Sequence, residues 1–152
     1  MRLPKIILTL VICSLIFINF SGCQNAETAQ TEDLTTANVI DEEISAIQTY
    51  ERVENKEIVV LLDVRTPEEY EEYHLSDAIL MPLQTLEDDL AANTQFDKDD
   101  EIIVYCRSGR RSMEAFNILT KLGYSNVKSM AGGIKQWSAH GYNTCSGEHM
   151  TC

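Results

Sequence analysis

Positive charge is what this sequence has least of. Lys and Arg together number 12 against 24 Asp and Glu, a formal net charge of −12 over 152 residues. Arg2 and Lys5 fall in the first 22 residues, which hold no acid, so residues 23–152 carry 10 basic and 24 acidic side chains, a net of −14. A surface of that sign repels polyanions, which excludes nucleic acid and anionic lipid headgroups as partners held by the general field. Long apolar runs are scarce too. The most apolar stretch, Ile6 to Phe20, is shorter than the ~20 residues that span a bilayer. No internal repeat is visible, and the length suits one compact domain rather than two. The hydrophobic content of 44% is ordinary for such a domain.

What is present at the N-terminus is the layout of an export signal. Arg2 and Lys5 make a short positive segment, Ile6 to Phe20 is apolar, and Ser21-Gly22-Cys23 leads abruptly into polar sequence. Ser-Gly-Cys after an apolar stretch resembles a lipobox, where a prokaryotic lipoprotein is lipidated on cysteine and cleaved just before it. Residues 1–22 are therefore expected to be a lipoprotein-type signal peptide and Cys23 the lipidated mature N-terminus, with an uncleaved anchor or a soluble secreted product as the alternatives. The protein is then a membrane-anchored lipoprotein of a prokaryotic cell envelope, facing outside the cytoplasm. Residues 23–37 are polar and read as a flexible tether. The domain is expected over 38–142, and 143–152 is a tail with two cysteines.

Within the domain, apolar runs alternate with helical patterns. Val39-Ile40 reads as a very short strand, followed by a helix capped by Asp41 with Glu42 and Glu43 in its first turn and Ile44 and Ile47 on its apolar face. Ile58 to Leu62 is continuous and β-branched, as in a strand buried on both faces. Thr66 and Glu69 form a capping box with Pro67 at the first helical position, so a short helix starts there. Ala78 to Met81 reads as a strand, Leu83 to Ala92 as a helix, and Asn93 to Asp100 as a charged loop. Glu101 to Tyr105 reads as a strand and Ser112 to Leu122 as a helix with Ala115, Ile118, Leu119 and Leu122 on one face and Gly123 as its stop. Val127 to Met130 is expected to be the last strand, and Ile134 to His140 a helix carrying Trp137. Strands alternating with helices across short connections predict a parallel α/β sheet covered on both faces.

The densest chemical signal is Cys106-Arg107-Ser108-Gly109-Arg110-Arg111. Three of the ten basic residues beyond the signal segment sit within five positions. A strand ending in cysteine, then a tight turn with glycine, then a helix start, places a thiol against inward N–H groups and the positive end of a helix dipole. Both lower the thiol pKa and make it a nucleophile. No histidine or aspartate is needed as base if that cradle stabilises the anion.

These residues, together with Asp63-Val64-Arg65-Thr66-Pro67-Glu68-Glu69-Tyr70, His74, Ala78-Ile79 and Ala131-Gly132-Gly133-Ile134-Lys135-Gln136-Trp137, resemble a single-domain rhodanese in order and spacing. Around His74 the sequence departs from the family, with Tyr73, Ser76 and Asp77 where glycine, proline and glycine are common, so the turn before the third strand is expected to take another shape. The resemblance implies a five-stranded parallel sheet flanked by helices on both faces. It also implies that Cys106 moves sulfane sulfur from thiosulfate or a similar small anionic donor to a thiol or cyanide acceptor through a persulfide. Neither cofactor nor metal is implied, and the chain is read as a monomer. Arg107, Ser108, Gly109, Arg110 and Arg111 are the candidate substrate-binding residues; the resemblance favours Arg107 and Arg111, with Arg110 and Arg111 left as alternatives for the one facing the donor. Asp63, Arg65 and Glu69 are expected to form caps and ion pairs, His74 a structural hydrogen bond, and Gly132-Gly133 a close backbone approach to the loop.

Other readings stay in view. The chain could be a non-enzymatic rhodanese-like persulfide carrier or partner-binding module, although such a module has no need of an intact cysteine and arginine loop. Related dual-specificity phosphatases and arsenate reductases place arginine after five intervening residues. Here that position is Ser112, and Arg111 comes after four, so phosphatase or arsenate reductase chemistry is disfavoured. Outside the cytoplasm Cys145 and Cys152 can close a small disulfide loop. The alternatives are free thiols, a resolving thiol for Cys106, or a metal site with His149, which lacks an evident fourth ligand.

Overall fold

The computed structural model describes residues 42–147. The expected signal peptide, Cys23, the tether, the Val39-Ile40 strand, the Asp41 cap, His149 and Cys152 lie outside the described residues. The elements are β1 (Glu43–Ile44), α1 (Ala46–Glu54), β2 (Val60–Asp63), α2 (Pro67–Glu72), β3 (Ile79–Leu80), α3 (Leu86–Ala91), β4 (Glu101–Tyr105), α4 (Arg110–Lys121), β5 (Asn126–Met130) and α5 (Gly133–Ala139). All strand pairs are parallel, in the order β1-β5-β4-β2-β3.

Alternation along the strands divides the core in two. Leu62, Ile102, Val104, Cys106 and Val127 face Leu86 and Leu90 of α3 and Ala115, Phe116 and Leu119 of α4. Leu61, Ile103, Tyr105 and Met130 face the other way, against Ala46, Tyr70, Ile134 and Trp137. Helices therefore cover both faces, and β4 lies in the middle with both neighbours paired. The sulfur-bearing residue after β4 belongs to the α4 side, while Tyr105 turns to the opposite side.

Several expected boundaries move. Glu43 and Ile44 are not the first turn of a helix. They pair with Ser129 and Met130 as β1, and Ile44 is buried. The helix starts after Ser45, whose side chain accepts the Gln48 N–H while Gln48 caps the Ser45 N–H in return. Ile47 is thereby left 44% exposed instead of facing the core. Ile58 is 94% exposed, because the ladder to β4 opens only at Val60, opposite Ile102. The helix expected from Leu83 starts at Leu86, since Pro82 to Thr85 closes a turn through a 3.0 Å hydrogen bond. In α4 the buried face is Ser112, Ala115, Phe116 and Leu119. Leu122 falls at the C-cap and is exposed.

The turn after His74 uses Asp77 at φ +60°, a left-handed conformation that glycine adopts without strain. Its position is one where the family commonly has glycine, so Asp77 supplies the conformation at some cost. His74 is buried, its Nδ1 lies 2.8 Å from the Tyr70 carbonyl oxygen, and its ring stacks on Tyr70 at 3.8 Å. The tail returns here. The His74 and Cys145 backbones exchange hydrogen bonds of 2.9 and 2.8 Å. Cys145 is buried and disulfide-bonded.

Candidate active site

Cys106 follows the last residue of β4, at the carboxyl edge of a parallel sheet, where open α/β sheets bind their ligands. The residue is only 1% exposed. Arg107 and Ser108 form a tight bend, and Gly109 caps α4 at φ +101°, a value side-chain-bearing residues rarely take. That conformation turns the Gly109 N–H onto Cys106 Sγ at 3.2 Å. The Ser112 hydroxyl, in the first turn of α4, sits 3.7 Å from the sulfur. Among the described residues the sulfur is thus met by backbone N–H groups and a hydroxyl, with no histidine or carboxylate bonded to it.

The thiol pKa reflects a contest. Burial pushes it up, but the N–H groups of Ser108, Ser112 and Gly109 and the Ser112 side chain together hold it below the ordinary cysteine value. The α4 dipole adds in the same sense. Hydrogen bonding to the anion is what prevails.

The opposite side of the loop is clamped by α5. Ile134 N–H donates to the Cys106 carbonyl at 2.9 Å, and Lys135 N–H to the Arg107 carbonyl at 3.1 Å. With those carbonyls directed away, the loop's own N–H groups turn inward. The clamp requires contact distance. A Cβ on Gly133 would lie 2.3 Å from the Cys106 carbonyl oxygen and 2.7 Å from the Arg107 carbonyl carbon. Gly132-Gly133 therefore makes the close approach expected of it.

The arginines divide. Arg111 is held by Glu69 through two parallel hydrogen bonds of 2.7 Å. Glu69 also accepts the Thr66 N–H at 3.1 Å, completing the capping box of α2. The Arg111 guanidinium beside Glu69 depresses that carboxyl to about 2. Arg107 and Arg110 are exposed and, among the described residues, take part in no salt bridge. A second pair stiffens the β2–α2 turn: Arg65, fully buried, donates to Asp63 at 2.6–3.0 Å and to the Tyr73 carbonyl at 2.7 Å. The caps and ion pairs expected of Asp63, Arg65 and Glu69 are present, and Glu69 reaches further than expected, to Arg111 just beyond the Cys106 loop. Beside Ser108 runs an open groove of about 340 Å³ lined by Gly132, Lys135, Gln136 and Ala139.

Ser112 and Ser129 carry no motif in the sequence: the first opens a helical pattern and the second lies within the Val127 to Met130 strand. Both are fully buried and their hydroxyls lie 2.8 Å apart. The available signal was a serine at a core position of β5, since a buried polar residue is more informative than a buried apolar one.

The geometry is accompanied by similarity to known proteins. The family model described as Rhodanese-like domain matches residues 45–140. A protein named sulfurtransferase from Allochromatium vinosum is 34% identical over 99 residues, which cover 65% of this chain and 90% of that one. Thiosulfate sulfurtransferase PspE of Escherichia coli is 42% identical over 74 residues, covering 49% of this chain and 69% of that one. The rhodanese-like domain of an Anabaena protein superposes with a TM-score of 0.65 at 28% identity, covering 70% of this chain and 80% of that one.

Proposed function

Since the chain belongs to the rhodanese-like domain family, we propose that it is a thiosulfate sulfurtransferase working through a Cys106 persulfide. The observation that carries this reading is a buried cysteine whose thiolate is stabilised by N–H groups and a hydroxyl rather than by a base. Sulfur transfer starts and ends with anionic sulfur at one point, and such a cradle serves both states.

In the first step the Cys106 thiolate attacks the sulfane sulfur of thiosulfate. A new S–S bond forms, the bond between the two thiosulfate sulfurs breaks, and sulfite leaves with the electron pair. In the second step an acceptor thiolate or cyanide attacks the outer sulfur. It departs as a persulfide or thiocyanate, and the Cys106 thiolate is restored. No net charge is created in the pocket at either step, so a fixed array of donors stabilises both transition states without reorganising. Arg107 and Arg110, exposed and outside any salt bridge among the described residues, draw the anionic donor toward an otherwise acidic protein. Arg111, already shared with Glu69, stiffens the loop and contributes a smaller field.

The chain is further proposed to act as a monomer outside the cytoplasm, tethered by lipid on Cys23, with Cys145 bridged to Cys152. Incorporation of labelled lipid that disappears in Cys23→Ala tests the first part, and the intact mass of non-reduced peptides tests the second. For the enzyme, wild type is expected to convert thiosulfate and cyanide to sulfite and thiocyanate, and Cys106→Ser to lose all turnover. Full turnover in Cys106→Ser overturns the reading. Phosphoester hydrolysis without sulfur transfer would move the chain to the phosphatase class.

A further inference from the structure

Strand β5 carries a serine where its face calls for an apolar side chain. Val127 and Ser129 point to the same side, toward α4, and Ser129 stands in register with Val104 in the core. Ser129 is fully buried, so its hydroxyl must find a partner or carry the desolvation penalty. The partner is Ser112 Oγ at 2.8 Å. Ser112 has two further neighbours, the Gly109 carbonyl oxygen at 2.9 Å and Cys106 Sγ at 3.7 Å.

Each hydroxyl has one proton to give and two lone pairs to accept with. With Cys106 as a thiol, Ser112 gives its proton to the Gly109 carbonyl and accepts from the S–H and from Ser129. Once the sulfur is a thiolate, its proton having gone to solvent, Ser112 can serve it only by turning its own proton from Gly109 to the sulfur. Its oxygen then keeps a single donor, Ser129. Ser129 thus gives the same hydrogen bond in both states, and Ser112 alone rotates.

We infer that Ser129 is a positioning residue for the reaction at Cys106: by donating to Ser112 from beneath, it holds the Ser112 hydroxyl where its proton can switch between the Gly109 carbonyl and the sulfur. The inference rests on Cys106 being the nucleophile. The charged groups on the elements packed against the loop are Arg107 and Arg110 on the loop itself, Arg111 with Glu69 between α4 and α2, Asp63 at the end of β2 with Arg65 behind it, and Lys135 at the start of α5. On β5, Lys128 occupies the alternate face. None of these is altered by a change at Ser129.

The test is the pH dependence of Cys106 alkylation by iodoacetamide, followed on the Cys106 peptide by mass spectrometry in the full chain. Ser129→Ala leaves the Ser112 hydroxyl unheld and is expected to slow alkylation about three- to tenfold on the acid limb, the effect of losing the Ser112 hydrogen bond to the thiolate, with the alkaline plateau unchanged. Ser129→Thr, which restores the hydroxyl, is expected to return the acid limb to the wild-type position. A Ser129→Ala profile that overlies wild type overturns the inference. So does a Ser129→Thr profile displaced as far as that of Ser129→Ala. If Ser129→Ala does not fold, Ser129→Val against Ser129→Thr decides in the same terms, since the two fill the same volume and differ in the hydroxyl. Iodoacetamide reads the thiolate without any sulfur donor, so an enzyme that failed to move sulfur would leave this result standing.

Discussion

Replacing Gly133 by alanine should separate the loop's shape from its chemistry. The new methyl would meet the Cys106 carbonyl oxygen at 2.3 Å and the Arg107 carbonyl carbon at 2.7 Å, both backbone atoms that cannot rotate aside. The residue also sits at φ +57°, which costs a non-glycine residue roughly 1–2 kcal/mol. Relief of the overlap by shifting a packed backbone costs about 1–3 kcal/mol more. Together these predict a loss of about 2–5 kcal/mol, or a fall in melting temperature of roughly 8–20 °C for a domain of this size. The displacement falls on the two carbonyls held by Ile134 and Lys135, so the inward N–H groups tilt away from the sulfur. A misplacement of that size costs about 100-fold in rate. Gly132→Ala is the control. Its φ of +71° carries similar conformational strain, but the three atoms nearest its methyl all belong to the exposed Gln136 side chain, whose Cγ, at 2.2 Å, can rotate aside. Thermal unfolding by circular dichroism and single-turnover sulfur loading, at a temperature where both variants are folded, give the readouts. Gly133→Ala loading sulfur as fast as Gly132→Ala, or the two variants melting together, would refute this steric origin.

The other predictions concern charge and strain. The Glu69 carboxyl is depressed to about 2 by Arg111, so its contribution to stability is complete above the unfolded value near 4.5 and is lost as pH falls through the folded one. After solvent screening at a partly exposed site this is worth about 1–2 kcal/mol, and Glu69→Gln should flatten acid denaturation between those limits. The same variant frees the Arg111 guanidinium and should lower KM for thiosulfate severalfold, while Arg107→Ala and Arg110→Ala raise it and weaken its salt dependence. Asp77→Gly should raise the melting temperature, because it removes a strained left-handed residue worth about 1 kcal/mol; an unchanged or lower value counts against that reading.

Local chemistry made much of the fold legible. Thr66, Pro67 and Glu69 announce α2 because both halves of a capping box and its proline lie within four residues. Cys106 to Arg111 announces a strand–turn–helix because Gly109 and the β-prone run before it act over short range. Partners distant in sequence were hidden. β1 has two residues and no pattern of its own; only the ladder to Ser129 and Met130 makes Glu43–Ile44 a strand. Ile58 looks like its β-branched neighbours yet lies before the first rung. The Arg111–Glu69 clamp joins residues 42 apart, and the Ser112–Ser129 pair joins a helix to a strand that meet only after folding. In each case a single tertiary neighbour, absent from any local window, decides the role.

Cys106 is proposed to carry one sulfur atom between donor and acceptor. The direct measurement is the mass of the Cys106 peptide from protein treated with thiosulfate, taken before and after cyanide. The predicted result is a gain of one sulfur on Cys106 with release of one sulfite, then its removal by cyanide with release of one thiocyanate. Sulfur transfer proceeding at full rate while Cys106 never carries the extra atom would contradict it.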